Sequence, residues 1–351
     1  MSAPTLRSIA RDLGLSRTTV SAALRGSSRV NQETAQRIRA AAEAAGYHHN
    51  PLAGAVMSEI RRSRGQSFRG VIAAVDVHEP DRPSHSLIFH RELIAGASER
   101  ASELGFKIEQ FTAGRDGITL PRLNTILQSR GIRGLLLLPA WGDPDYTALD
   151  WSRYAGVYTD YIIEKPALHT ICSDHYRSMM HGLQRLHALG YRRPGLFLQK
   201  HHDERLQHRW EGAFLAFQQR TPGVETIPAL VSEELTREKF IAWFKEHKPD
   251  VVLGHRTEAM VWMRSAGARI PASHGFFCLN VLIQDVPCAG LDLQPRRLGA
   301  QGAEAVIAQL HRNDPGIPPL PSLTTIPARW VDGPTIRDVK SAPVRRSAVP
   351  A

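Results

Sequence analysis

The sequence predicts a small N-terminal all-α domain followed by a larger α/β domain built on parallel sheets. Between residues 6 and 13, apolar side chains recur at i, i+3, i+4 and i+7, the spacing of one helix face. Further along, apolar runs such as 70–77 and 134–139 alternate with amphipathic segments. Continuous apolar strands alternating with helices indicate parallel sheets covered on both faces. A chain of 351 residues is also too long for one simple core, so we expect several domains.

The N-terminal helical segments have the pattern of a helix-turn-helix. Thr5 is a good N-cap for the first helix, and Gly14 ends it where a left-handed residue is needed. Ser16 then begins a second short helix, from which Val20 and Leu24 turn inward. In a helix-turn-helix the second helix enters the DNA major groove. The pattern therefore predicts a DNA-binding domain.

A third helix and an excess of arginine complete this region. Asn31 is placed to cap a helix over 32–45, which Gly46 ends. Residues 1–70 hold eleven Arg against four acidic residues, which is +7 of the chain's net charge of +10. A solvated basic face is the alternative interpretation. Because the charge coincides with a helix-turn-helix pattern, it favours a polyanionic partner.

The segment after the third helix predicts a further short helix. Asn50-Pro51 combines a favoured N-cap with proline at the first helical position. Gly54 lies within this helix, which has little apolar surface of its own and should be unstable until something holds it. One interpretation is a linker that happens to be helical. The other is a hinge that orders on DNA and inserts apolar residues into the minor groove.

From Gly70 onward the expected elements alternate regularly. A helix from Phe89 to Leu104 ends at a glycine and is followed by a strand over 107–111. A helix over 119–130 and a strand over 134–139 come next, and the same order of helix, glycine and strand returns twice. The last residues, 338–351, lack periodicity, and we expect them to be disordered.

Cysteine and histidine usage gives no indication of a metal or cofactor. Cys172, Cys278 and Cys288 are odd in number and lie in apolar stretches, as expected of buried free thiols in a reducing cytoplasm. The adjacent pairs at 48–49 and 201–202 cannot usually share one ion, so surface or core histidine is the default interpretation. No apolar stretch approaches the roughly 18 residues of a membrane span, and no signal-peptide core is present. We therefore expect a cytoplasmic protein.

Two motifs resemble a known family. T-L-x-x-I-A-x-x-L-G-L-S-x-x-T-V-S-x-x-L-x-G begins at Thr5, and G-Y-x-x-N-P-L-A begins at Gly46. Together they are similar to the DNA-binding head and hinge of the LacI/GalR family of lactose-repressor-like regulators, over residues 5–57. A looser similarity in element order continues to residue 337. The resemblance implies that the α/β domain is two-lobed and periplasmic-binding-protein-like.

The resemblance also implies the domain limits. The expected divisions are a helix-turn-helix domain at 1–49, a hinge helix and linker at 50–69, an effector-binding and dimerisation domain at 70–337, and a tail at 338–351. Within the large domain, lobe 1 is expected at about 70–160 and 292–322, and lobe 2 at about 161–291 and 323–337.

Residues at the start of a recognition helix are the ones that reach base edges. Arg17 suits a guanine through paired bonds to O6 and N7, with a phosphate or surface arginine as the alternative. Relatives often carry a leucine wedge where this chain has Val56, so either Val56 or the longer Met57 is the expected wedge. The predicted DNA-contacting residues are Thr5, Leu6, Ser16, Arg17, Thr18, Thr19, Ser21, Ala22, Arg25, Arg29, Asn31, Tyr47, Asn50, Ala53, Val56 and Met57.

Ligands of such sheets bind beyond the carboxyl ends of the strands, here between the lobes. Arg209 in R-W-E-G-A-F matches an arginine that touches the effector in sugar-responsive relatives. Arg256 and Asn280 stand where relatives have carboxylates, which favours a carboxylate or phosphate on the ligand unless Arg256 pairs with Glu258. The predicted effector residues are Asp76, His78, Trp141, Asp160, Asp174, Arg209, His255, Arg256 and Asn280.

These features predict a transcriptional regulator, most simply a repressor, that binds a pseudo-palindromic operator as a homodimer. A small-molecule effector, a sugar or sugar derivative, would control its DNA affinity. One alternative is an α/β enzyme with a DNA-binding head, which would need a nucleophile elbow, a phosphate loop or a glycine fingerprint. The sequence contains none of these motifs, so we expect no enzyme. A solute-binding protein would share the lobes but not the basic head.

Overall fold

The computed structural model describes residues 6–24, 30–44, 68–84, 86–114, 118–161 and 163–339. Its N-terminal part contains the helices α1 (Leu6–Asp12), α2 (Arg17–Leu24) and α3 (Gln32–Ala44). All three helices contribute to one small core, which consists of Ile9, Ala10, Val20, Ala23, Ile38 and Ala42. The helix-turn-helix predicted from the apolar spacing is therefore present.

Local side chains set the ends of these helices as expected. Ser16 Oγ accepts a hydrogen bond of 3.0 Å from the amide of Thr19 at the start of α2. Asn31 Oδ1 accepts one of 2.8 Å from the amide of Glu33 at the start of α3. Gly14 has a φ of +66°, a left-handed conformation that side chains rarely adopt. These caps orient α2 relative to the other two helices.

The rest of the described chain forms two lobes of alternating strands and helices. The strands are β1 (Gly70–Val77), β2 (Phe106–Ala113), β3 (Gly134–Leu137), β4 (Ala155–Tyr158), β5 (His169–Asp174), β6 (Pro194–Gln199), β7 (Leu230–Ser232), β8 (Val251–Gly254), β9 (Gly275–Cys278), β10 (Ala289–Asp292), β11 (Leu323–Pro327) and β12 (Arg329–Val331). The helices are α4 (Ser86–Glu103), α5 (Leu120–Ser129), α6 (His175–Ala188), α7 (Lys200–Glu204), α8 (Arg209–Arg220), α9 (Arg237–His247), α10 (Ala259–Ser265) and α11 (Pro295–Arg312). Short 3-10 turns occupy Trp151–Arg153 and Val281–Ile283.

Each lobe is built on one sheet of six strands. The first sheet has the order β11-β5-β4-β3-β1-β2, and all its neighbouring strands are parallel. The second has the order β12-β10-β9-β8-β6-β7, in which β12 pairs antiparallel with β10 and the other pairs are parallel. The predicted parallel α/β architecture in two lobes is confirmed.

The crossings between the lobes differ in part from the expected limits. Because β5 and β11 both belong to the first sheet, the chain leaves the first lobe only after Asp174 and again after Pro327. The predicted crossings, at about 160 and 322, come too early. Both strands are short and mix apolar with polar residues, and sequence cannot assign such strands to one of two adjacent sheets.

Helices α4 and α11 pack closely on the first sheet. A Cβ atom on Gly96 would lie 1.9 Å from the Arg296 carbonyl oxygen, and one on Gly299 would lie 1.9 Å from that of Leu93. Glycine is therefore required at both positions, since any side chain would separate the two helices. This contact places α11, which follows β10 of the second sheet, against the first lobe.

Most element limits agree with the sequence within a few residues. The helix expected over 119–130 is α5, and the strand expected over 134–139 is the shorter β3. At the C-terminus, the amide of Val339 donates a hydrogen bond of 2.8 Å to the carbonyl of Leu189, so the ordered chain extends beyond residue 337. The remaining tail, 340–351, lies outside the described residues. Among the described helices, none is both long and apolar enough to cross a membrane.

Candidate functional site

The helix predicted to read DNA is α2. Ser16 and Thr19 share a hydrogen bond of 2.7 Å between their hydroxyls, and Ala22 is partly exposed. Leu6, Arg17, Thr18 and Ser21 lie within α1 and α2, but the structure does not describe their side chains. Eight further predicted contacts lie outside the described residues: Thr5, Arg25, Arg29, Tyr47, Asn50, Ala53, Val56 and Met57. The DNA contacts therefore remain predictions.

A pocket lies between the lobes, at the carboxyl ends of strands from both sheets. First-lobe residues lining it are Arg82, Ser86, Phe89, His90, Pro139, Ala140, Trp141, Thr159, Asp160, Cys172 and Ser173. Second-lobe residues, together with Leu298 of α11, are His175, His202, Arg205, Leu206, Asn280, Ile283 and Leu293. Parallel strands commonly present ligand sites at this edge. The pocket encloses about 100 Å³.

The first-lobe wall contains a compact ion-pair network centred on Arg82. The two terminal nitrogens of its guanidinium each lie 2.9 Å from one oxygen of Asp76. Its Nε also donates to Glu79 at 3.0 Å, and the Arg82 side chain is only 7% exposed. Burial alone would raise the pKa of Asp76, but bonds from His90 and Arg82 outweigh it and lower that pKa to about 2. The network is therefore charged at neutral pH.

Glu79 links this network to the loop that follows β3. Its carboxylate accepts hydrogen bonds from the backbone amides of Trp141, at 2.7 Å, and Gly142, at 2.6 Å. Burial opposes ionisation, but these amide bonds and Arg82 lower the pKa of Glu79 below its ordinary value. The charged carboxylate thus sets the position of the Trp141 ring at the pocket.

Two contacts join the lobes across the pocket. Arg205, from the loop after α7, donates to Asp160 Oδ2 at 2.6 Å, and both side chains are largely buried. Asp160 also accepts from the amides of Ala140 and Tyr161 on its own lobe. His201 Nε2 lies 2.9 Å from the carbonyl oxygen of Trp141. These contacts hold the cleft in a closed conformation.

Aromatic and imidazole rings pack together on the second-lobe side. His175 lies between Tyr161 and Trp210, with ring centroids 5.4 and 4.8 Å away. His255 stacks on His202 at 4.3 Å. Burial lowers the pKa of His175 well below its ordinary value, with nearby Arg205 acting in the same direction, so its ring is neutral. Its Nδ1 has no hydrogen-bond partner among the described residues.

The structure brings some of the predicted effector residues to the pocket. Trp141, Asp160 and Asn280 line it. Asp76 and His255 do not line the pocket themselves, but each contacts a residue that does. Asp76 pairs with Arg82, and His255 stacks on His202. These positions lie at or just after the carboxyl ends of strands, as the sequence argument required.

Other predicted residues lie elsewhere. His78 is exposed and lies away from the pocket lining. Asp174 caps α6 through the Arg177 amide at 3.0 Å and accepts a bond from Thr325. The guanidinium of Arg209 lies 4.5 Å from the centre of the Tyr161 ring, behind the pocket wall.

Arg256 also lies outside the pocket lining. Its guanidinium pairs with Glu258 at 3.2 Å and donates to the carbonyl of Leu235 at 3.1 Å. This is the alternative that the sequence left open, and it corrects the expectation that Arg256 makes the pocket cationic.

Several lining residues had not been predicted from the sequence. Arg82, His90, His175, His202 and Arg205 all come from helices or loops after the strands, at distances that no motif marks. For Arg205, the one signal in the sequence was the end of β6, because ligand sites lie beyond strand ends and Arg205 follows this strand after the short helix α7. The sequence does not show which of the many surface arginines turns inward.

The comparisons with known proteins agree with this architecture, which is that of a two-lobed protein with a helix-turn-helix head. Residues 5–50 match the family model of bacterial regulatory proteins, lacI family. The maltose regulon regulatory protein MalI of Escherichia coli (strain K12) is 31% identical over 141 residues, which are 40% of this chain and 37% of that relative. The matched region thus spans little more than a third of MalI.

Solved structures extend the likeness of fold over nearly the whole chain. The transcriptional regulator CelR in complex with cellobiose has a TM-score of 0.56 and 21% identity, over 95% of this chain and 99% of that one. The lac repressor dimer bound to operator and the anti-inducer ONPF has a TM-score of 0.54 and 18% identity, with the same coverage. Residues 5–50 thus carry a DNA-binding region of the lacI type, and the chain as a whole shares the fold of these solved structures.

Proposed function

We propose that this protein is a DNA-binding transcriptional repressor whose operator affinity is controlled by a small molecule bound between the lobes. The proposal rests on one observation: the same chain contains a helix-turn-helix that matches the lacI family model and a pocket at the carboxyl ends of two sheets. The buried, free thiols of Cys172, Cys278 and Cys288 fit a protein that works in the cytoplasm.

The pocket favours a neutral, hydroxyl-rich ligand over an anionic one. Both arginines that line it are already paired, Arg82 with Asp76 and Glu79, and Arg205 with Asp160. An anion would have to compete with these carboxylates for the guanidinium groups. The aromatic rings of Phe89 and Trp141, beside scattered polar groups, suit the faces and hydroxyls of a sugar. CelR binding cellobiose supports a sugar or sugar derivative as the effector class.

The enclosed volume indicates how the ligand could act. About 100 Å³ is less than the roughly 300–1,000 Å³ of ordinary ligand sites, so the lobes must separate to admit a sugar. Arg205 and Asp160 would then part, and a bound ligand would set a new angle between the lobes. In a homodimer that angle determines how the two heads meet successive operator half-sites.

A ligand screen followed by a DNA-binding assay tests this function. Thermal shifts of the full chain would be measured with neutral sugars, sugar acids and sugar phosphates, because a ligand that binds the folded state raises the melting temperature. Each hit would then be added to the protein and DNA from upstream of its own gene, with fluorescence anisotropy as the readout. We expect a neutral sugar to change the affinity for this DNA.

Two results would contradict the proposal. Equal affinity for the upstream DNA and for random duplex, with every hit present, would exclude sequence-specific regulation. Chemical turnover of a bound ligand would instead favour the alternative of an α/β enzyme with a DNA-binding head.

A further inference from the structure

A buried carboxylate without a full set of partners lies beside the pocket. Asp203, near the end of α7, has a side chain that is 1% exposed. Its Oδ1 accepts a bond of 3.2 Å from the Trp210 amide, but its Oδ2 accepts no hydrogen bond from any described residue. Burial raises the pKa of Asp203, since the charged form loses hydration, and the backbone amides of Trp210 and Glu211 and the nearby His208 offset this only in part. A buried oxygen of this kind needs a proton or a cation.

Two other potential metal ligands face this oxygen. His208 Nδ1 lies 3.6 Å from Asp203 Oδ2 and 4.0 Å from Glu211 Oε2. The ligand atoms of all three residues lie within 4.8 Å of one another. Local backbone structure produces this arrangement, because the His208 amide donates to the Asp203 carbonyl at 2.9 Å and Glu211 lies in the first turn of α8.

The separation between His208 Nδ1 and Asp203 Oδ2 matches a coordination shell better than a hydrogen bond. A distance of 3.6 Å is too long for a hydrogen bond between His208 and Asp203. Around a tetrahedral ion with bonds of about 2.0–2.2 Å, neighbouring ligand atoms lie roughly 3.3–3.6 Å apart. The 4.0 Å between His208 Nδ1 and Glu211 Oε2 is longer than this, so the Glu211 side chain would have to rotate toward the ion to complete the site.

The site is also accessible. The His208 side chain is 61% exposed and that of Glu211 is 30% exposed, so an ion can enter from solvent and water can fill the open position. One imidazole nitrogen and two carboxylate oxygens suit a divalent transition-metal ion such as Zn²⁺.

We propose that Asp203, His208 and Glu211 bind one divalent transition-metal ion. The ion would connect the end of α7 to the start of α8 across the loop that carries Arg205. Since Arg205 reaches Asp160 on the other lobe, metal binding would strengthen the second-lobe side of the closed cleft.

Zinc titration of the full chain tests this site. Protein treated with EDTA and then freed of it would be titrated with ZnCl₂ by isothermal calorimetry, as wild type, His208→Ala and Glu211→Gln. We expect each variant to lose one tightly bound equivalent. His208 is exposed, Glu211 is partly exposed, and Glu211→Gln keeps the size of the side chain, so the variants should keep the wild-type circular dichroism spectrum.

A control variant distinguishes this site from general histidine binding. His247 lies 3.9 Å from Glu246, with no third ligand nearby in the described chain, so His247→Ala should keep the tight equivalent. Cobalt provides a second readout, because Co²⁺ held by His208 and the carboxylates should show a visible absorption band that His208→Ala abolishes. Equal stoichiometry and affinity in wild type and both site variants would overturn the proposal.

Discussion

The two walls of the interlobe pocket differ in how their polar groups are paired. On the first-lobe wall, Asp76, Glu79 and Arg82 satisfy one another and hold the loop that carries Trp141. On the second-lobe side, His175 Nδ1 and Trp210 Nε1 have no hydrogen-bond partner among the described residues, although both are buried. Buried polar atoms normally find partners. The first wall is therefore a preformed scaffold, while the second contains one lining residue, His175, with an unpaired ring nitrogen that a ligand or water could bind.

Removing Arg82 should produce the largest effect, because it breaks the scaffold of the first wall. Arg82→Ala leaves Asp76 and Glu79 largely buried without their cation, and we expect the free energy of unfolding to fall by about 3 kcal/mol. Urea denaturation measures this change. The matched control is Arg130→Ala, whose partner Glu109 is more exposed and whose loss should cost less than about 1 kcal/mol. Similar losses in both variants would show that the first wall is not a scaffold.

The same scaffold predicts a dependence of stability on pH. The pKa of Asp76 is lowered to about 2 from its ordinary 3.8, so the folded state binds fewer protons than the unfolded state between these values. The resulting stability is present above pH 3.8 and is lost as pH falls toward 2, by about 2 kcal/mol. Melting temperatures of wild type and Asp76→Asn between pH 2 and 6 should converge at the acid end. Parallel curves throughout would contradict this interpretation.

Breaking one of the bonds between the two walls should have an intermediate effect. Arg205→Ala removes the bond to Asp160, and we expect the cleft to open, with a loss of roughly 1.5 kcal/mol in the closed state. Small-angle X-ray scattering should show a larger radius of gyration. Lys165→Ala is the control, since its pair with Asp143 lies exposed within the first lobe. An unchanged radius would mean that other contacts keep the cleft closed.

His175 tests whether the second wall serves the ligand. His175→Phe keeps an aromatic ring between Tyr161 and Trp210 but removes both ring nitrogens. We expect stability within about 1 kcal/mol of wild type. Affinity for the sugar found by screening should fall about tenfold, equivalent to roughly 1.4 kcal/mol. Calorimetry that finds unchanged affinity would show that Nδ1 does not contact the ligand.

The smallest effect is expected at Arg256. Its guanidinium is held by Glu258 and Leu235 outside the pocket, so Arg256→Ala should leave effector affinity within about twofold of wild type. A larger loss, measured by the same calorimetry, would restore the idea of a cationic pocket.

Much of the fold was predictable because local patterns determine it. Ser16 and Asn31 mark helix starts through hydrogen bonds to nearby amides, and Gly14 marks a helix end through its left-handed backbone. Because these signals involve only neighbouring residues, they can be recognised from the sequence. The α/β alternation was equally clear. The assignment of β5 and β11 to a sheet was not, because it depends on pairing with strands far away in sequence.

The pocket was predictable only in part. Trp141, Asp160 and Asn280 follow strand ends and were found by position, whereas Arg82, His175 and Arg205 were not. Arg256 shows the reverse, since its sequence position suggested a pocket role but bonds to Glu258 and to the Leu235 carbonyl hold it outside.

By itself, the sequence determined a helix-turn-helix head and a parallel α/β architecture, because caps and periodicity act over short distances. The division into two lobes, with a ligand site between them, was implied by the family resemblance. Only the tertiary structure decided which charges meet, such as Arg205 with Asp160, and which buried polar atoms remain without partners. The physical reason is that electrostatic pairing and desolvation depend on distances of a few ångströms between residues that are far apart in the chain.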